Sequence, residues 1–295
     1  MEGFRIPIGE WAATALNWIK ANLDGLLEFI RTVLGGAVDG LTDGLLGVPI
    51  IGIVVVAALI GWTVRSWRLA LGTVVGFGLI LGMDVWTPAM QTLSLVLVAT
   101  LIAIAVAVPL GILAARNDTV SAALRPVLDF MQTMPAYVYL IPTVLFFSIG
   151  VVPGVVSTII FALPPGVRLT ELGIRSVDPE KVEAGQAFGA TPGQILRGVQ
   201  LPLASPTILS GINQVIMLAL SMAVVAGIAG APGLGKEVVA AISTLNIGQG
   251  VEAGLGVVVL AVYLDRVTSA LGGRAQNRGS LLSIIARRRA HALAA

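Results

Sequence analysis

Long apolar runs dominate this chain, and within them hydrophobic residues are continuous rather than alternating. About 20 consecutive apolar residues are needed for a helix to cross a bilayer, and continuous runs are typical of helices rather than of barrel strands. The pattern predicts an all-α, polytopic membrane protein with about seven transmembrane helices. The predicted spans are residues 48–64, 69–85, 92–115, 134–150, 152–165, 206–229 and 252–271.

Three local features adjust these spans. Residues 150–153 are Gly-Val-Val-Pro and predict a tight turn at the membrane surface, between the fourth and fifth spans. The helix that leads into the fourth span is expected to begin earlier, near Ser121. Pro135 and Pro142 are expected to break the fourth span and to leave carbonyl groups unpaired, which is tolerated where the backbone lines a cavity.

The N-terminal region has a different pattern. Residues 10–34 place apolar side chains at helical spacing and charged side chains elsewhere on the wheel. This predicts one amphipathic helix lying in the membrane interface, with a helix packed against the bundle as the alternative. Acidic residues interrupt the apolar run and a basic leading segment is missing, so a cleaved signal peptide is not expected.

Composition agrees with a membrane protein. Hydrophobic residues make up 56% of the 295 residues and charged residues 12%, and the mean hydropathy is +0.94. The chain has no Cys, which excludes disulfides and thiolate metal sites, and its one His, His291, is expected in a solvated tail rather than in a metal or catalytic site. Basic residues are spread along loops, which favours the lipid membrane and not nucleic acid as a partner.

The basic residues also predict an orientation. All but four of the 18 Lys and Arg residues lie on one predicted side, and that side is expected to be the cytoplasm. The exceptions are Arg5, Lys20, Arg31 and Lys236. With seven spans, the N-terminus is expected outside and the C-terminus inside.

A polar stretch from Pro164 to Pro206 interrupts the apolar runs on the cytoplasmic side. Asp178-Pro179-Glu180 is a helix-start signal, Gly189 is expected to end that helix, and Thr191-Pro192 starts a second one that runs toward Pro202. The predicted product is a helix–turn–helix across the cytoplasmic face. Small residues allow a partner to approach closely, Glu183 is available for a basic partner, and Phe188 is an apolar anchor. The alternative is a polar loop that only caps the bundle.

This stretch resembles the EAA loop of the membrane subunits of bacterial ABC importers. The matching positions are Glu183, Ala184, Gly185, Gly189, Val199, Leu201 and Pro202. Gly185 replaces the second alanine of the family triplet, which weakens the helix by up to about 1 kcal/mol. The resemblance implies that Glu183, Ala184, Gly185, Phe188, Gly189, Leu201 and Pro202 couple the chain to a cytoplasmic ATPase.

The resemblance widens to the permeases of the glycine betaine and proline uptake family, of the ProW and OpuA type. It covers most of residues 80–272 and is carried by MDVW (83–86), QTMPAYVYLIP (132–142), ALPPGVRLT (162–170) and ALSM (219–222). It implies a MetI-like type I importer core and uptake of a quaternary ammonium osmolyte such as glycine betaine, proline betaine, choline or carnitine. The implied partners are an ATPase dimer, a second permease copy and an extracytoplasmic binding protein, in a bacterial inner membrane.

The expected organisation has four parts. Residues 1–46 form the interfacial region and 47–87 two peripheral spans; residues 88–272 form the permease core, with the coupling loop at 166–205; residues 273–295 form a basic cytoplasmic tail. Candidate residues of the substrate pathway are Met134, Pro135, Tyr137, Tyr139, Asn213, Gln214, Ser221 and Met222. Ordinary helix packing is the alternative for each of them.

One further motif resembles a nucleotide-binding loop but is not expected to bind ATP. Residues 230–236, GAPGLGK, match most of a P-loop, but Glu237 stands where Ser or Thr would hold Mg²⁺, and no strand is predicted before it. A Gly/Pro turn at the outer end of a span is therefore expected. The chain is expected to be no enzyme and to hold no cofactor, with ATP and Mg bound by the partner ATPase. An ion-coupled secondary carrier or channel is the alternative, which the scarcity of ionisable residues within the spans disfavours, and a non-transporting scaffold is the third hypothesis.

Overall fold

The computed structural model of the chain describes residues 7–272, the last two by backbone alone. The described residues form helices joined by short turns and contain no strand, which confirms the predicted all-α class. The α-helices in chain order are α1 (Ile8–Asn22), α2 (Asp24–Gly47), α3 (Ile50–Val64), α4 (Trp67–Gly82), α5 (Trp86–Arg116), α6 (Asp118–Thr133), α7 (Leu140–Phe147), α8 (Val151–Arg175), α9 (Pro179–Ala187), α10 (Pro192–Ile195), α11 (Leu201–Ala226), α12 (Leu234–Thr244) and α13 (Ile247–Gly272).

Helices α5, α8 and α11 form the centre of the bundle, and small residues let their backbones approach closely. A Cβ atom on Gly166 of α8 would lie 2.8 Å from the Cβ of Ala107 in α5. A Cβ atom on Gly211 of α11 would lie 2.9 Å from the Cβ of Leu169 in α8. The bare backbone at these glycines is therefore required by the packing.

Contacts between helix ends show the relative directions of the central helices. The Arg175 guanidinium at the end of α8 donates to the Ala114 carbonyl near the end of α5 (2.8 Å), so these two helices run in parallel. Beyond α11, the Leu234 N–H donates to Thr92 Oγ1 near the start of α5 (2.8 Å), so α11 runs the opposite way. The end of the bundle that carries Arg65, Arg68, Arg116, Arg175 and Arg266 is referred to below as the basic end.

Four helical segments are long and apolar enough to cross a membrane: Trp86–Arg116, Val151–Arg175, Pro192–Ala229 and Ile247–Ala270. Two helix pairs pass the same test only together and are sharply bent, by 105° between α2 and α3 and by 108° between α6 and residues Ala136–Phe147. Helix α4 is a shorter apolar helix of 16 residues. The count of seven spans stays a prediction.

The fourth predicted span, residues 134–150, is not a straight spanning helix. A 3₁₀ turn at Ala136–Tyr139 and α7 together cover only residues 136–147, about 18 Å of helix, against about 30 Å of hydrocarbon. Met134 is extended with ψ 133°, because the ring of Pro135 disfavours the helical conformation of the residue before it. The expected break at Pro135 is confirmed, whereas Pro142 lies within α7 and does not break it.

The fifth predicted span is longer than expected. Helix α8 continues past Pro164 and Pro165 to Arg175, so the stretch counted as polar loop from residue 164 onward is helical for its first turns. Both prolines are buried inside this helix. A proline removes one backbone hydrogen bond, and the dense packing of α8 between α5 and α11 holds the helix together across it.

The single interfacial helix predicted over residues 10–34 is two helices, divided at Leu23. Helix α1 has no buried residue, as expected of a helix that lies in an interface. Helix α2 instead buries Leu34 and Val38 against the bundle, and Gly35 faces Val152 at the start of α8. The packed alternative is therefore correct for α2. The predicted tail at 273–295 lies outside the described residues.

Candidate functional site

The connection between α8 and α11 begins with a capped helix, as predicted. The side chain of Asp178 accepts a hydrogen bond from the Glu180 N–H (3.1 Å), and Pro179 occupies the first turn of α9. Gly189 follows the helix with φ +77°, a left-handed conformation that glycine adopts without strain. The direction in which the chain leaves α9 depends on this residue.

The second helix starts as predicted but does not end where it was expected to. Thr191 and Gln194 form a capping box, in which the Thr191 N–H donates to Gln194 Oε1 (2.8 Å) and the Gln194 N–H donates to Thr191 Oγ1 (3.4 Å). After the four residues of α10, a π-helical turn at Leu196–Gln200 continues directly into α11. Leu201 and Pro202 therefore lie in the first turn of a long helix, and not at the end of a separate one.

Helix α9 presents most of its surface to solvent. Phe188 is 93% exposed, and Glu183 and Ala184 are exposed too. Gly185 is half-buried, and a Cβ atom added to it would lie 3.4 Å from Ile195 Cγ1 in α10. The two sides of the connection therefore differ: Gly185 packs inward onto α10, while Glu183, Ala184 and Phe188 remain open.

The open side of α9 borders a cleft. A volume of 340 Å³ separates α9 from the ends of α5 and α8, with Glu183 and Gln186 on one wall and Ala115 on another. Among the described residues Glu183 makes no salt bridge. Helix α9 touches the rest of the chain mainly through α10 and the π-turn. Through α10 and the π-turn, α9 is connected to α11.

The candidate pathway residues separate into two groups. Met134, Tyr139 and Met222 belong to one apolar cluster, in which Tyr139 and Met222 are buried. The Tyr139 hydroxyl donates to the Met131 carbonyl, and its ring meets Phe161 edge-on at 6.1 Å between centroids. Tyr137, Gln214 and Ser221 lie on the exposed surface of the chain, and Pro135 occupies the bend after α6.

Asn213 has a different surrounding from the one predicted. Its side-chain amide donates to Asp265 Oδ1 (3.0 Å) and its carbonyl oxygen accepts from Thr268 Oγ1 (2.7 Å). Both partners lie on α13, so Asn213 fastens α11 to α13. Asn213 and its neighbour Gln214 both line a cleft of 390 Å³ with Ser210 and Thr268.

Two polar groupings were not foreseen from the sequence. Thr143 of α7 and Ser157 of α8 share a buried hydrogen bond of 2.7 Å, and Ser157 also donates to the Tyr139 carbonyl (3.3 Å). These contacts hold the broken segment against α8. The sequence shows a hydroxyl residue within each of two neighbouring apolar runs. That pattern alone does not indicate which hydroxyl residues form a hydrogen bond with each other.

The second grouping joins α6 to α8 at the basic end. Arg175 pairs with Asp118 (2.7 Å) and with Glu171 (3.0 Å), and Glu171 also accepts from the buried Ser121 hydroxyl (2.6 Å). Two turns before Arg175 on α8, Arg168 pairs with Asp129. The sequence did not predict that these partners meet, because it did not show that α8 extends to Arg175.

The turn that resembles a P-loop is a packed connection after α11. Gly230 and Gly233 have φ +81° and +124°, and α12 begins directly after them. Leu234 is buried and held by Thr92, whereas Lys236 is exposed. The expected Gly/Pro turn is confirmed. Within residues 7–272 no strand precedes it, and no group of three or more His, Asp or Glu side chains there has the arrangement of a metal site.

Comparisons with known proteins agree with this architecture. The chain is 47% identical to the glycine betaine transport system permease protein OpuAB of Bacillus subtilis, over 94% of this chain and 98% of the relative. It is 44% identical to the glycine betaine/proline betaine transport system permease protein ProW of Escherichia coli, over 93% of this chain and 78% of the relative.

A solved structure shares the fold. A chain of the inward-facing MetNI methionine ABC transporter superposes with a TM-score of 0.56 at 23% identity, covering 65% of this chain and 94% of that chain. Residues 107–276 match the family described as "Binding-protein-dependent transport system inner membrane component". The chain therefore belongs to the family of inner membrane components of binding-protein-dependent transport systems.

Proposed function

We propose that this chain is the transmembrane permease of an ATP-driven importer of quaternary ammonium osmolytes such as glycine betaine, proline betaine, choline or carnitine. The observation that carries the proposal is the identity of 47% to a glycine betaine permease along nearly its whole length. The chain has no catalytic role in this scheme. Two copies pair around a central pathway, and an ATPase dimer and an extracytoplasmic binding protein are separate subunits.

The exposed side of α9 is the contact with the ATPase. Phe188 is a large apolar side chain almost fully open to solvent, and Glu183 lacks a salt bridge among the described residues. A partner that covers them would bury an aromatic anchor, the kind of side chain that contributes most to interface energetics, and would place a basic group beside the carboxylate. These observations support α9 as the docking element, with the basic end of the bundle in the cytoplasm.

Coupling follows from how α9 is connected. Its inner side packs on α10, and α10 continues through the π-turn into α11. Helix α11 in turn packs along α8 more extensively than any other pair of helices in the described chain. Closure of the ATPase dimer would displace α9 and rock α11 and α8 together, which changes access to the pathway from one side to the other.

The pathway lies beside the broken segment that precedes α7. The bend at Pro135 leaves backbone carbonyls without helical partners, and Met134, Tyr139 and Met222 meet next to it. Tyr137, Gln214 and Ser221 are exposed in the single chain and would face the second copy or the pathway between the copies. Aromatic faces attract trimethylammonium groups, and high-affinity capture belongs to the separate binding protein.

The proposal is tested by uptake into proteoliposomes that contain the permease, its ATPase and its binding protein. We expect saturable uptake of glycine betaine that requires ATP and continues after the proton and sodium gradients are collapsed. Proteoliposomes that contain the permease and the binding protein but lack the ATPase are the control. Uptake driven by a sodium gradient without ATP would instead support an ion-coupled carrier and would refute the proposal.

The turn at residues 230–236 provides a second test. We expect the permease alone to hydrolyse no ATP. We also expect Lys236→Ala to leave the nucleotide affinity of the assembled complex unchanged, because Lys236 lies in the first turn of α12, at the end of the bundle opposite α9. Nucleotide affinity is measured by fluorescent ATP titration of the purified complex. A loss of affinity of tenfold or more, about 1.4 kcal/mol, would contradict both the orientation and the assignment of the turn.

A further inference from the structure

A groove that the transport scheme does not use lies between α4 and α13 at the basic end. It encloses 570 Å³, and its walls are mainly apolar, with Leu69 and Phe77 on α4 and Val259 and Val262 on α13. The hydroxyl groups of Thr73 and Tyr263, which lie along it, already have hydrogen-bond partners: Thr73 Oγ1 donates to the Leu69 carbonyl (2.8 Å) and the Tyr263 hydroxyl donates to the Ala57 carbonyl (3.1 Å). The interior of the groove is therefore suited to hydrocarbon.

The length of the groove matches one leaflet of a bilayer. Its α4 wall runs from Leu69 to Phe77, nine residues that span about 12 Å of helix. The hydrocarbon of one leaflet is about 15 Å deep, half of the bilayer core. Gly72 forms part of the floor, and a Cβ atom added there would meet no atom within 4 Å. An acyl chain entering from the basic end would therefore lie along the groove for most of its depth.

Three arginines surround the mouth of the groove: Arg65, Arg68 and Arg266. Within residues 7–272, Arg65 and Arg68 have no carboxylate within 4.0 Å, and Arg266 has only its neighbour Asp265, at 3.9 Å. The mouth therefore keeps an excess of positive charge. Guanidinium groups bind phosphate through two parallel hydrogen bonds, and basic pockets between transmembrane helices favour anionic lipid headgroups.

We propose that this groove binds one anionic phospholipid, with its phosphate among Arg65, Arg68 and Arg266 and an acyl chain between α4 and α13. Charge argues against two other occupants. A second copy of the chain would bring the same arginines to a twofold interface and repel them. The segment at 273–295 contains Arg274, Arg278, Arg287, Arg288 and Arg289 and neither Asp nor Glu, so it is repelled as well.

The charge of the mouth is tested by native mass spectrometry of the purified complex titrated with dioleoylphosphatidylglycerol or dioleoylphosphatidylcholine. We expect one phosphatidylglycerol retained per permease, in preference to phosphatidylcholine. The triple variant Arg65→Gln, Arg68→Gln, Arg266→Gln should weaken this retention about 100-fold, from roughly fivefold per arginine. Arg116→Gln, an exposed arginine at the same end outside the groove, is the matched control and should bind as the parent does.

The shape of the groove is tested with two glycines of α4. Gly72→Trp fills the groove and should abolish retention of phosphatidylglycerol, whereas Gly78→Trp should not, because Gly78 does not line the groove. A Cβ atom at either position meets no atom within 4 Å, so we expect the same thermal unfolding temperature for both. Equal retention in the two variants, or equal retention of the two lipids by the parent, would overturn the proposal.

Two further outcomes would assign the groove to something else and likewise overturn the proposal. Displacement of the lipid by 10 mM inorganic phosphate would identify a free anion as the ligand. We do not expect it, because the acyl chain contributes to binding through buried apolar area. The chain contains no Cys, so Gly72→Cys carries a single thiol in the permease. A disulfide between two permease copies at this position in membrane vesicles would identify a second copy as the occupant. Lipid binding is read directly on the permease, so its failure leaves the substrate proposal untouched.

Discussion

Replacement of Phe188 by alanine is expected to lower the affinity of the permease for its ATPase by at least 30-fold. The side chain is 93% exposed in the single chain, so its removal takes away no internal packing. Aromatic hot-spot residues at interfaces cost about 2 kcal/mol or more when they are truncated to alanine, which corresponds to about 30-fold in affinity. The effect should therefore fall on assembly, and not on the stability of the permease.

The measurement is the affinity of purified ATPase for the permease in nanodiscs, together with the thermal unfolding temperature of each variant. Phe130→Ala is the matched control, because Phe130 of α6 is also a largely exposed phenylalanine, 64% exposed, but lies outside the α9 connection. We expect the control to bind the ATPase as the parent does. If Phe188→Ala binds the ATPase with the affinity of the parent, α9 is not part of the interface with the ATPase.

Replacement of Gly189 by valine is expected to reduce osmolyte uptake at least tenfold, either by separating ATP hydrolysis from transport or by preventing assembly. Gly189 has φ +77°, and a β-branched residue in this left-handed conformation costs roughly 1–3 kcal/mol. The turn can relieve this strain only by changing its backbone angles, which redirects α9 relative to α10. A Cβ atom there meets no atom within 4 Å, so the membrane part of the fold should be unaffected.

Two variants separate the backbone effect from the added side chain. Asparagine tolerates the left-handed conformation, so Gly189→Asn should keep most of the uptake. Gly193→Val adds the same side chain in α10, where a Cβ atom also meets nothing within 4 Å and φ is not positive. Uptake, ATP hydrolysis and complex yield are measured for all three. Parental uptake in Gly189→Val, or an equal loss in Gly193→Val, would refute the role assigned to this turn.

The helix caps of the α8–α11 connection were predictable because they are local. Asp178, Gly189 and Thr191 act on backbone groups within a few residues of themselves, and the structure has each of them in the predicted role. The end of the second helix was not predictable in the same way. Pro202 suggested a stop, but the π-turn that precedes it lets the helix continue into α11, where packing on α8 compensates for the missing N–H.

The same contrast appears at the prolines within the apolar runs. Pro135 breaks its helix, whereas Pro164 and Pro165 are buried within α8. The local signal is similar in both places. The difference comes from the surroundings, because the backbone of α11 at Gly211 approaches the Pro165 carbonyl and Gly166 packs on Ala107, so α8 is supported on two sides.

The sequence by itself determined that the chain is helical, that it crosses a membrane several times, and that a capped polar connection interrupts its spans. These properties follow from apolar run length and from short-range capping, which depend on residues close together in the chain. Only the tertiary structure decided that α8 extends to Arg175, that α2 packs on the bundle, and that Met134, Tyr139 and Met222 meet while Tyr137, Gln214 and Ser221 do not join them. Each of these depends on which distant helices pack together, and burial against a partner helix outweighs the local preference of a proline or an amphipathic face.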